Sequence, residues 1–151
     1  MVEIFVDADA CPVKDEVYVV ATRYGVTVVV VANAPIAVPE GMGVERVVVE
    51  QGPDVADDWI ARNVREGDVV VTADLPLAAR CLEKGCRVVG TDGRAFDRES
   101  IGDLLATREL KASLREAGIA SGGPPPLSAK MRSRFSATLD QLVQASLREA
   151  G

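Results

Sequence analysis

The sequence predicts an α/β protein: a single domain with an open, mainly parallel sheet of about five strands, helices on both faces, and further helices at the C-terminal end. Short valine-rich runs alternate with amphipathic segments of helical period, which is typical of βαβ units. Almost half of the 151 residues are apolar and only 4% are aromatic, as expected of strands buried on both faces. Glycine and proline mark most of the boundaries between these runs.

The strands are predicted from runs of β-branched residues. The sequence between the second and third runs carries Pro35, Pro39, Gly41 and Gly43 and predicts a loop over residues 33–43. If the first and fourth strands are neighbours in a doubly wound sheet, the sheet has a topological switch point between them. The five predicted strands are 2–6, 26–32, 44–49, 69–72 and 87–90.

The helices are predicted from apolar periodicity and from their end signals. Pro12 suits a first helical turn, and Gly25 and Gly85 suit helix ends. After Gly93 the pattern is helical only, and the last helix carries an apolar stripe. The predicted helices are 12–24, 54–66, 76–84, 98–106, 108–117 and 128–148, and the predicted stripe is Phe135, Leu139, Leu142, Val143 and Leu147.

The domain 1–151 therefore divides into a sheet-forming core, 1–93, and a helical part, 94–151. Within the second part, residues 118–126 contain the run Gly-Gly-Pro-Pro-Pro and predict a stiff linker or turn.

The composition excludes several classes of enzyme. The chain has no histidine, which excludes Ser-His-Asp and Cys-His catalysis, zinc sites that need imidazole, and any histidine general base. The three cysteines have neither metal spacing nor an even count, so a disulfide framework is not expected and the reducing cytoplasm is the expected compartment. No apolar run approaches the roughly 20 residues of a membrane span, and no export signal is read at the N-terminus.

The net charge of −6 is uneven. The acidic excess lies in the sheet-forming core, whereas the helical part is mildly basic. This distribution does not fit a protein that coats nucleic acid through bulk charge. It allows a local basic rim facing an acidic pocket.

Aspartates follow the predicted strands or begin the helices after them. The carboxyl ends of parallel strands meet at one edge of an open sheet, so these groups are expected to converge there. Clustered carboxylates repel one another unless a cation neutralises them, and an all-oxygen donor set suits Mg²⁺ or Mn²⁺. The aspartates are Asp7, Asp9, Asp54, Asp57, Asp58, Asp74 and Asp92.

Structural roles compete with ligation at most of these positions. Asp74 and Asp54 are good helix N-caps, Asp57 and its neighbour suit a first helical turn, and Asp92 suits a turn. Asp7 and Asp9 are harder to explain in this way, because a carboxylate that ends a buried strand is costly unless it is paired, solvated or ligating.

Other side chains near this edge have a functional and a structural interpretation. Cys11 is a candidate nucleophile before a helix, but nearby carboxylates and the lack of a base favour a structural role. Lys14 projects toward the acidic groups or into solvent, and Thr72 contacts a phosphate or packs. Arg94 and Arg132, with Lys130 and Arg134, are candidates for a phosphate-binding rim or an ordinary solvated surface.

Five stretches resemble the YaiI/YqxD family of uncharacterised bacterial proteins. The resemblance covers nearly the whole chain in order, and the first and fourth stretches are the most specific. One departure is Met131, where the family usually has an acid between basic residues. The stretches are Val6-Asp-Ala-Asp-Ala-Cys-Pro12, Val31-Ala-Asn33, Asp54-Val-Ala-Asp57, Val71-Thr-Ala-Asp-Leu-Pro-Leu-Ala78, and Gly122-Gly-Pro124 followed by Arg132-Ser-Arg-Phe135.

The resemblance implies a fold similar to PIN and NYN domains, whose clustered acids bind divalent metal and cut RNA. By that analogy Asp7, Asp9, Asp57 and Asp74 form the metal cluster, with Asp54 and Asp92 as further candidates. The implied activity is a Mg²⁺- or Mn²⁺-dependent phosphodiesterase acting on RNA, with Asp7, Asp9 and Asp74 as catalytic groups.

Two alternatives stay open. One is a phosphatase similar to the haloacid dehalogenase class, with Asp7 as nucleophile, Asp9 as acid/base and Thr72 on the phosphate. The lysine that this class needs is not evident before Asp92. The other is a non-catalytic domain that binds a metal or a nucleotide.

Overall fold

The sheet has six strands and is mainly parallel, which confirms the predicted fold class. The computed structural model describes residues 1–116 and 128–150. The strand order is β3-β2-β1-β4-β5-β6, in which the first five strands are parallel and β6 is antiparallel to β5. The short strand β6 was not predicted. The strands are β1 Glu3–Asp7, β2 Thr27–Ala32, β3 Val44–Val48, β4 Val69–Val71, β5 Arg87–Val89 and β6 Ala95–Phe96.

The described part of the chain forms five α-helices, and a 3₁₀ turn, Ala8–Ala10, follows β1. The core residues of α1 and α5 pack on one face of the sheet, and those of α2, α3 and α4 pack on the other. The predicted placement of helices on both faces is therefore confirmed. The helices are α1 Lys14–Tyr24, α2 Val55–Asn63, α3 Leu75–Glu83, α4 Arg98–Glu116 and α5 Ala129–Ala150.

Three predicted helix boundaries are wrong. α1 begins at Lys14 rather than at Pro12, because the 3₁₀ turn first takes the chain away from β1. α2 ends at Asn63 rather than at residue 66, because Val64 is extended and buries its side chain. The two helices predicted over 98–117 are one helix, α4.

The core consists of two apolar layers separated by the sheet. Successive residues of a strand point to opposite faces, so Ile4 and Val6 of β1 enter the layer under α1 and α5, whereas Phe5 enters the layer under α2 and α3. In α5, Phe135, Leu139 and Val143 are buried. The other two residues of its predicted apolar stripe are partly buried against the same layer.

The Gly/Pro-rich linker predicted over 118–126 lies outside the described residues. Among the helices that are described, none has the length and hydropathy to cross a membrane.

Candidate functional site

The site lies where the direction of the strand order reverses. β1 is flanked by β2 on one side and by β4 on the other, so the connections that follow β1 and β4 leave toward opposite faces of the sheet. The first and fourth strands are neighbours, which is the condition for a switch point between them. A crevice outside the carboxyl ends of the strands at such a point is the usual ligand-binding place of open α/β sheets.

The strand register brings Asp7 and Thr72 together at this edge. Val6 pairs with Val71, so Asp7 and Thr72, the residues that follow them, lie side by side at the edge of the sheet. Asp7 is on the same face of β1 as Phe5, which packs in the layer of α2 and α3. The Asp7 carboxylate is therefore delivered toward the N-terminal ends of those two helices.

Thr72 joins the Asp7 carboxylate to the backbone N–H of Asp74, which is far away in sequence. Its side chain is 1% exposed. The Thr72 hydroxyl donates to Asp7 Oδ2 at 3.0 Å and accepts from the Asp74 backbone N–H at 3.0 Å. Asp74 Oδ1 accepts from the Leu77 backbone N–H at 2.9 Å, which confirms the predicted N-cap. Because Asp74 is both a cap and a neighbour of Asp7, capping does not exclude a role in a ligand site.

Asp57 completes the group from the first turn of α2. Burial, followed by the charges of Asp74, Asp7 and Asp54, raises the pKa of the Asp57 carboxyl to about 7. Burial is also the largest cause of a raised pKa at Asp7, with the charges of Asp9 and Asp74 adding to it. We call Asp7, Asp57 and Asp74 the carboxylate cluster. It concentrates negative charge, and among the described residues no basic side chain forms an ion pair with any of its three members.

A cleft of about 320 Å³ opens beside the carboxylate cluster between α2 and α3. Arg80 stands in its wall and donates to Asp58 Oδ1 at 2.7 Å. Among the described residues, no three acidic or cysteine side chains stand close enough to hold a metal ion together. The residues lining the cleft are Asp54, Asp57, Asp58, Asp74, Pro76, Leu77 and Arg80.

Several predicted acidic residues lie at the margin of the cluster. Asp9 Oδ1 accepts from the Asn33 backbone N–H at 3.3 Å, which directs it toward the end of β2. Asp54 occupies the N-cap position of α2, but it has φ of 64° and its side chain makes no capping bond, so the predicted cap is wrong. Asp92 accepts from the Arg94 backbone N–H at 3.0 Å within a turn after β5.

The other candidates have structural contacts. The Lys14 ammonium donates to the Cys11 carbonyl at 2.7 Å, and the Arg132 guanidinium donates to the Pro12 carbonyl at 2.9 Å. Cys11 is buried, and burial raises the pKa of its thiol, which disfavours the nucleophilic thiolate. The N-cap position of α1 is held by Val13.

Comparison with known proteins gives the family. The family model described as an uncharacterised bacterial family, YaiI/YqxD, matches residues 5–145. The chain belongs to the YaiI/YqxD family. A UPF0178 protein of Rhodospirillum rubrum is 53% identical over 144 residues, covering 95% of this chain and 96% of that protein. A UPF0178 protein of Brucella ovis is 55% identical over 149 residues, covering 98% and 92%. No solved structure matches the chain.

All of the carboxylate cluster lies within the matched YaiI/YqxD region. At the position where the resemblance indicates an acid, Met131 uses its backbone N–H to donate to the Ser128 hydroxyl at 3.2 Å. Ser128 therefore caps α5 without help from a side chain at position 131. The departure affects the start of α5, on the face of the sheet opposite the cleft.

Sequence reasoning missed Arg80 as a residue of this site. The residue lies on the polar side of a helix whose buried stripe is Leu77, Ala78 and Cys81, so its type and position signal only a solvated surface. Its contact with Asp58 depends on how α2 packs against α3, which no local pattern specifies.

Replacing Thr72 by valine tests the link between the two carboxylates. Valine keeps the shape but leaves Asp7 Oδ2 and the Asp74 N–H without this partner, so we expect a loss of about 1–3 kcal/mol in the free energy of unfolding. Thr72→Ser keeps the hydroxyl and is therefore expected to retain most of the free energy of unfolding that Thr72→Val loses. Urea unfolding of the three proteins measures both values. A larger loss in Thr72→Ser than in Thr72→Val would show that the methyl group contributes more than the hydrogen bonds.

Proposed function

We propose that this protein is a Mg²⁺- or Mn²⁺-dependent phosphodiesterase that cleaves single-stranded RNA at the carboxylate cluster. The observation that carries the proposal is the convergence of Asp7, Asp57 and Asp74 from three separate elements at the switch point. Capping explains Asp74, and helix-dipole stabilisation explains Asp57. Neither explains why these two groups adjoin a third carboxylate at the end of a buried strand.

The unfavourable electrostatics of the cluster support a functional role. The raised pKa values of Asp7 and Asp57 mean that the folded chain holds their negative charges at a cost. Such groups concentrate at functional sites, where stability is given up for activity. A surface selected for stability alone would carry neutral side chains at one or more of these positions.

The donor chemistry fits a hard divalent cation, because carboxylate oxygens are the ligands that Mg²⁺ and Mn²⁺ prefer. Asp7 Oδ1 makes no hydrogen bond to the described residues. No three acidic side chains in those same ranges are close enough to ligate together, so binding includes a rearrangement of side chains. The bound ion would lower the pKa of water and stabilise charge on a phosphate.

The chain's own residues have distinct roles in this proposal. Asp7 and Asp74 would hold the ion, and Thr72 fixes the rotamer of Asp7 by its hydrogen bond. Asp57, whose raised pKa is caused partly by the charges of Asp74 and Asp7, would add its own negative charge to the attraction for the ion. The choice of RNA comes from the resemblance to PIN and NYN domains, which is an argument from analogy.

Cleavage of a short labelled single-stranded RNA in the presence of Mn²⁺ tests the proposal. We expect EDTA to stop the reaction and Asp7→Asn to slow it by more than about 100-fold, since residues that merely support a metal ligand cost about 10–100-fold. The matched control is Asp15→Asn, which removes an exposed carboxylate on α1, on the other face of the sheet.

Three outcomes contradict the proposal. The first is no Mn²⁺-dependent cleavage by the wild-type protein. The second is equal activity of Asp7→Asn and Asp15→Asn. The third is hydrolysis of p-nitrophenyl phosphate with a covalent phosphate trapped on Asp7, which would identify a phosphatase with an aspartate nucleophile instead.

A further inference from the structure

We infer that Arg80 binds a backbone phosphate of the substrate in the cleft between α2 and α3. This inference rests on the proposed function and adds the residue that positions the phosphodiester against the carboxylate cluster. It also assigns the path of the nucleic acid to the α2–α3 side of the molecule. The basic residues of α5, which the sequence indicated as candidates for a phosphate-binding rim or as an ordinary solvated surface, are then not the main contact.

The position of Arg80 is the first support. Arg80 lines the same cleft of about 320 Å³ as Asp57 and Asp74, and it is the one basic side chain among the described residues that line it. An anion drawn toward a site of several carboxylates needs a cation nearby, because those carboxylates would otherwise repel it. Arg80 supplies that charge within the cleft itself.

The geometry of the guanidinium is the second support. Arg80 uses one terminal nitrogen, Nη1, to donate to Asp58 Oδ1 at 2.7 Å. Its remaining N–H groups make no hydrogen bond to the described residues, and its side chain is 46% exposed. Asp58 therefore orients the guanidinium while leaving donors for a phosphate, which arginine binds through two parallel hydrogen bonds.

The alternative cations are less suitable. Arg132 donates to the Pro12 carbonyl and to Glu16, so its guanidinium ties α5 to α1. Lys14 donates to the Cys11 carbonyl. Both helices pack on the face of the sheet opposite the cleft. These side chains would have to give up contacts to reach a phosphate, whereas Arg80 would not.

The experiment measures binding and cleavage separately for Arg80→Gln. Binding of a short fluorescein-labelled single-stranded RNA is followed by fluorescence anisotropy in EDTA, where no cleavage is expected. Loss of a charged hydrogen-bonding group is expected to weaken binding by about 10-fold and to raise KM in Mn²⁺ more than it lowers kcat. Arg80→Lys keeps the charge but lacks the planar guanidinium. Its affinity for RNA and its KM are expected to lie between those of the wild type and Arg80→Gln.

Arg23→Gln is the matched control. Arg23 also pairs with an aspartate, Asp140, at the surface, and it lies near the C-terminal end of α1, away from the cleft. The variant therefore has the same charge change and also loses an Arg–Asp pair, in which the aspartate is more buried, 16% exposed against 50% for Asp58. Thermal unfolding of both variants checks that the fold is kept.

The outcomes separate this inference from the proposed function. Weaker RNA binding by Arg80→Gln, with no Mn²⁺-dependent cleavage by the wild type, would support Arg80 as a phosphate contact and overturn the nuclease. Cleavage by the wild type with equal affinity and KM for Arg80→Gln and Arg23→Gln would overturn the inference alone. Absence of both RNA binding and Mn²⁺-dependent cleavage by the wild type would overturn both.

Discussion

Asp57→Asn is expected to make the protein more stable at pH 8. The pKa of the Asp57 carboxyl is raised to about 7 in the folded protein, so the folded state binds this proton more tightly than the unfolded state does. The free energy of unfolding then falls as the pH rises from about 4 to about 7 and stays lowered above it. Asparagine carries no charge, so the variant does not lose free energy of unfolding in this way. Its gain over the wild type is therefore largest at high pH and becomes smaller toward pH 4.

The expected gain is modest. At about 1.36 kcal/mol per pKa unit the full shift corresponds to about 4 kcal/mol, but the side chain is partly exposed and solvent screening reduces the gain to about 1–2 kcal/mol. Urea unfolding at pH 4.5 and pH 8 measures it. Mn²⁺ is expected to stabilise the wild type at pH 8 and to stabilise Asp57→Asn less, because a ligand that binds the folded state more weakly stabilises it less at the same concentration.

Asp58→Asn is the control for Asp57→Asn. Both residues lie in the first turn of α2, where a negative charge favours the helix, but Asp58 pairs with Arg80. Asp58→Asn is expected to leave stability unchanged or slightly lower it at both pH values. If both variants lose stability equally at pH 8, Asp57 acts only as a favourable negative charge in the first turn of α2, and the carboxylate cluster does not destabilise the folded protein.

Gly93→Ala is expected to loosen the C-terminal helix. Gly93 has φ of 87°, and a Cβ atom there would lie 2.8 Å from the Phe135 backbone nitrogen and 2.9 Å from Arg134 Cγ. Its carbonyl also accepts from the Thr138 hydroxyl at 2.9 Å. Because Phe135 is fully buried, α5 cannot shift without disturbing the core. Left-handed strain and the clash together are expected to cost about 2–5 kcal/mol.

Gly67→Ala separates the two causes. Gly67 has φ of 89° and no atom within 4 Å of the position of a Cβ, so the variant carries the backbone strain without the clash. Its expected cost is about 1–2 kcal/mol. Thermal or urea unfolding compares the variants. Equal losses would mean that α5 does not approach the turn after β5 as closely as the structure has it.

The sequence was informative where a local pattern decides the structure. Short apolar runs identified the first five strands, Gly25 marked the end of α1, and the placement of Asp7 at the end of a buried strand indicated the edge at which the site lies. The N-cap role of Asp74 followed from its position before Leu75-Pro76 and is confirmed by its bond to the Leu77 N–H. These features depend on neighbours within a few residues.

The sequence was uninformative where packing decides. The family resemblance favoured Asp57 over Asp92 as a cluster member, but the residue pattern alone does not, because the choice depends on α2 lying beside α3. The pairing of Arg80 with Asp58 has the same origin. The close approach of Gly93 to α5 joins segments that are distant in the chain. Asp54 failed as a cap because the backbone adopts a left-handed conformation there, which the residue type allows but does not specify.

The position of β1 in the middle of the sheet has a consequence for synthesis on the ribosome. β1 precedes its partner β4 by 65 residues, so one edge of β1 stays unpaired while these residues are synthesised. Exposed strand edges of apolar chains recruit other strands, and non-local parallel pairing forms slowly. Nascent chains halted before Val69 are therefore the species most prone to aggregate. The hydrogen bond between Asp7 and Thr72 cannot form until β4 has been synthesised.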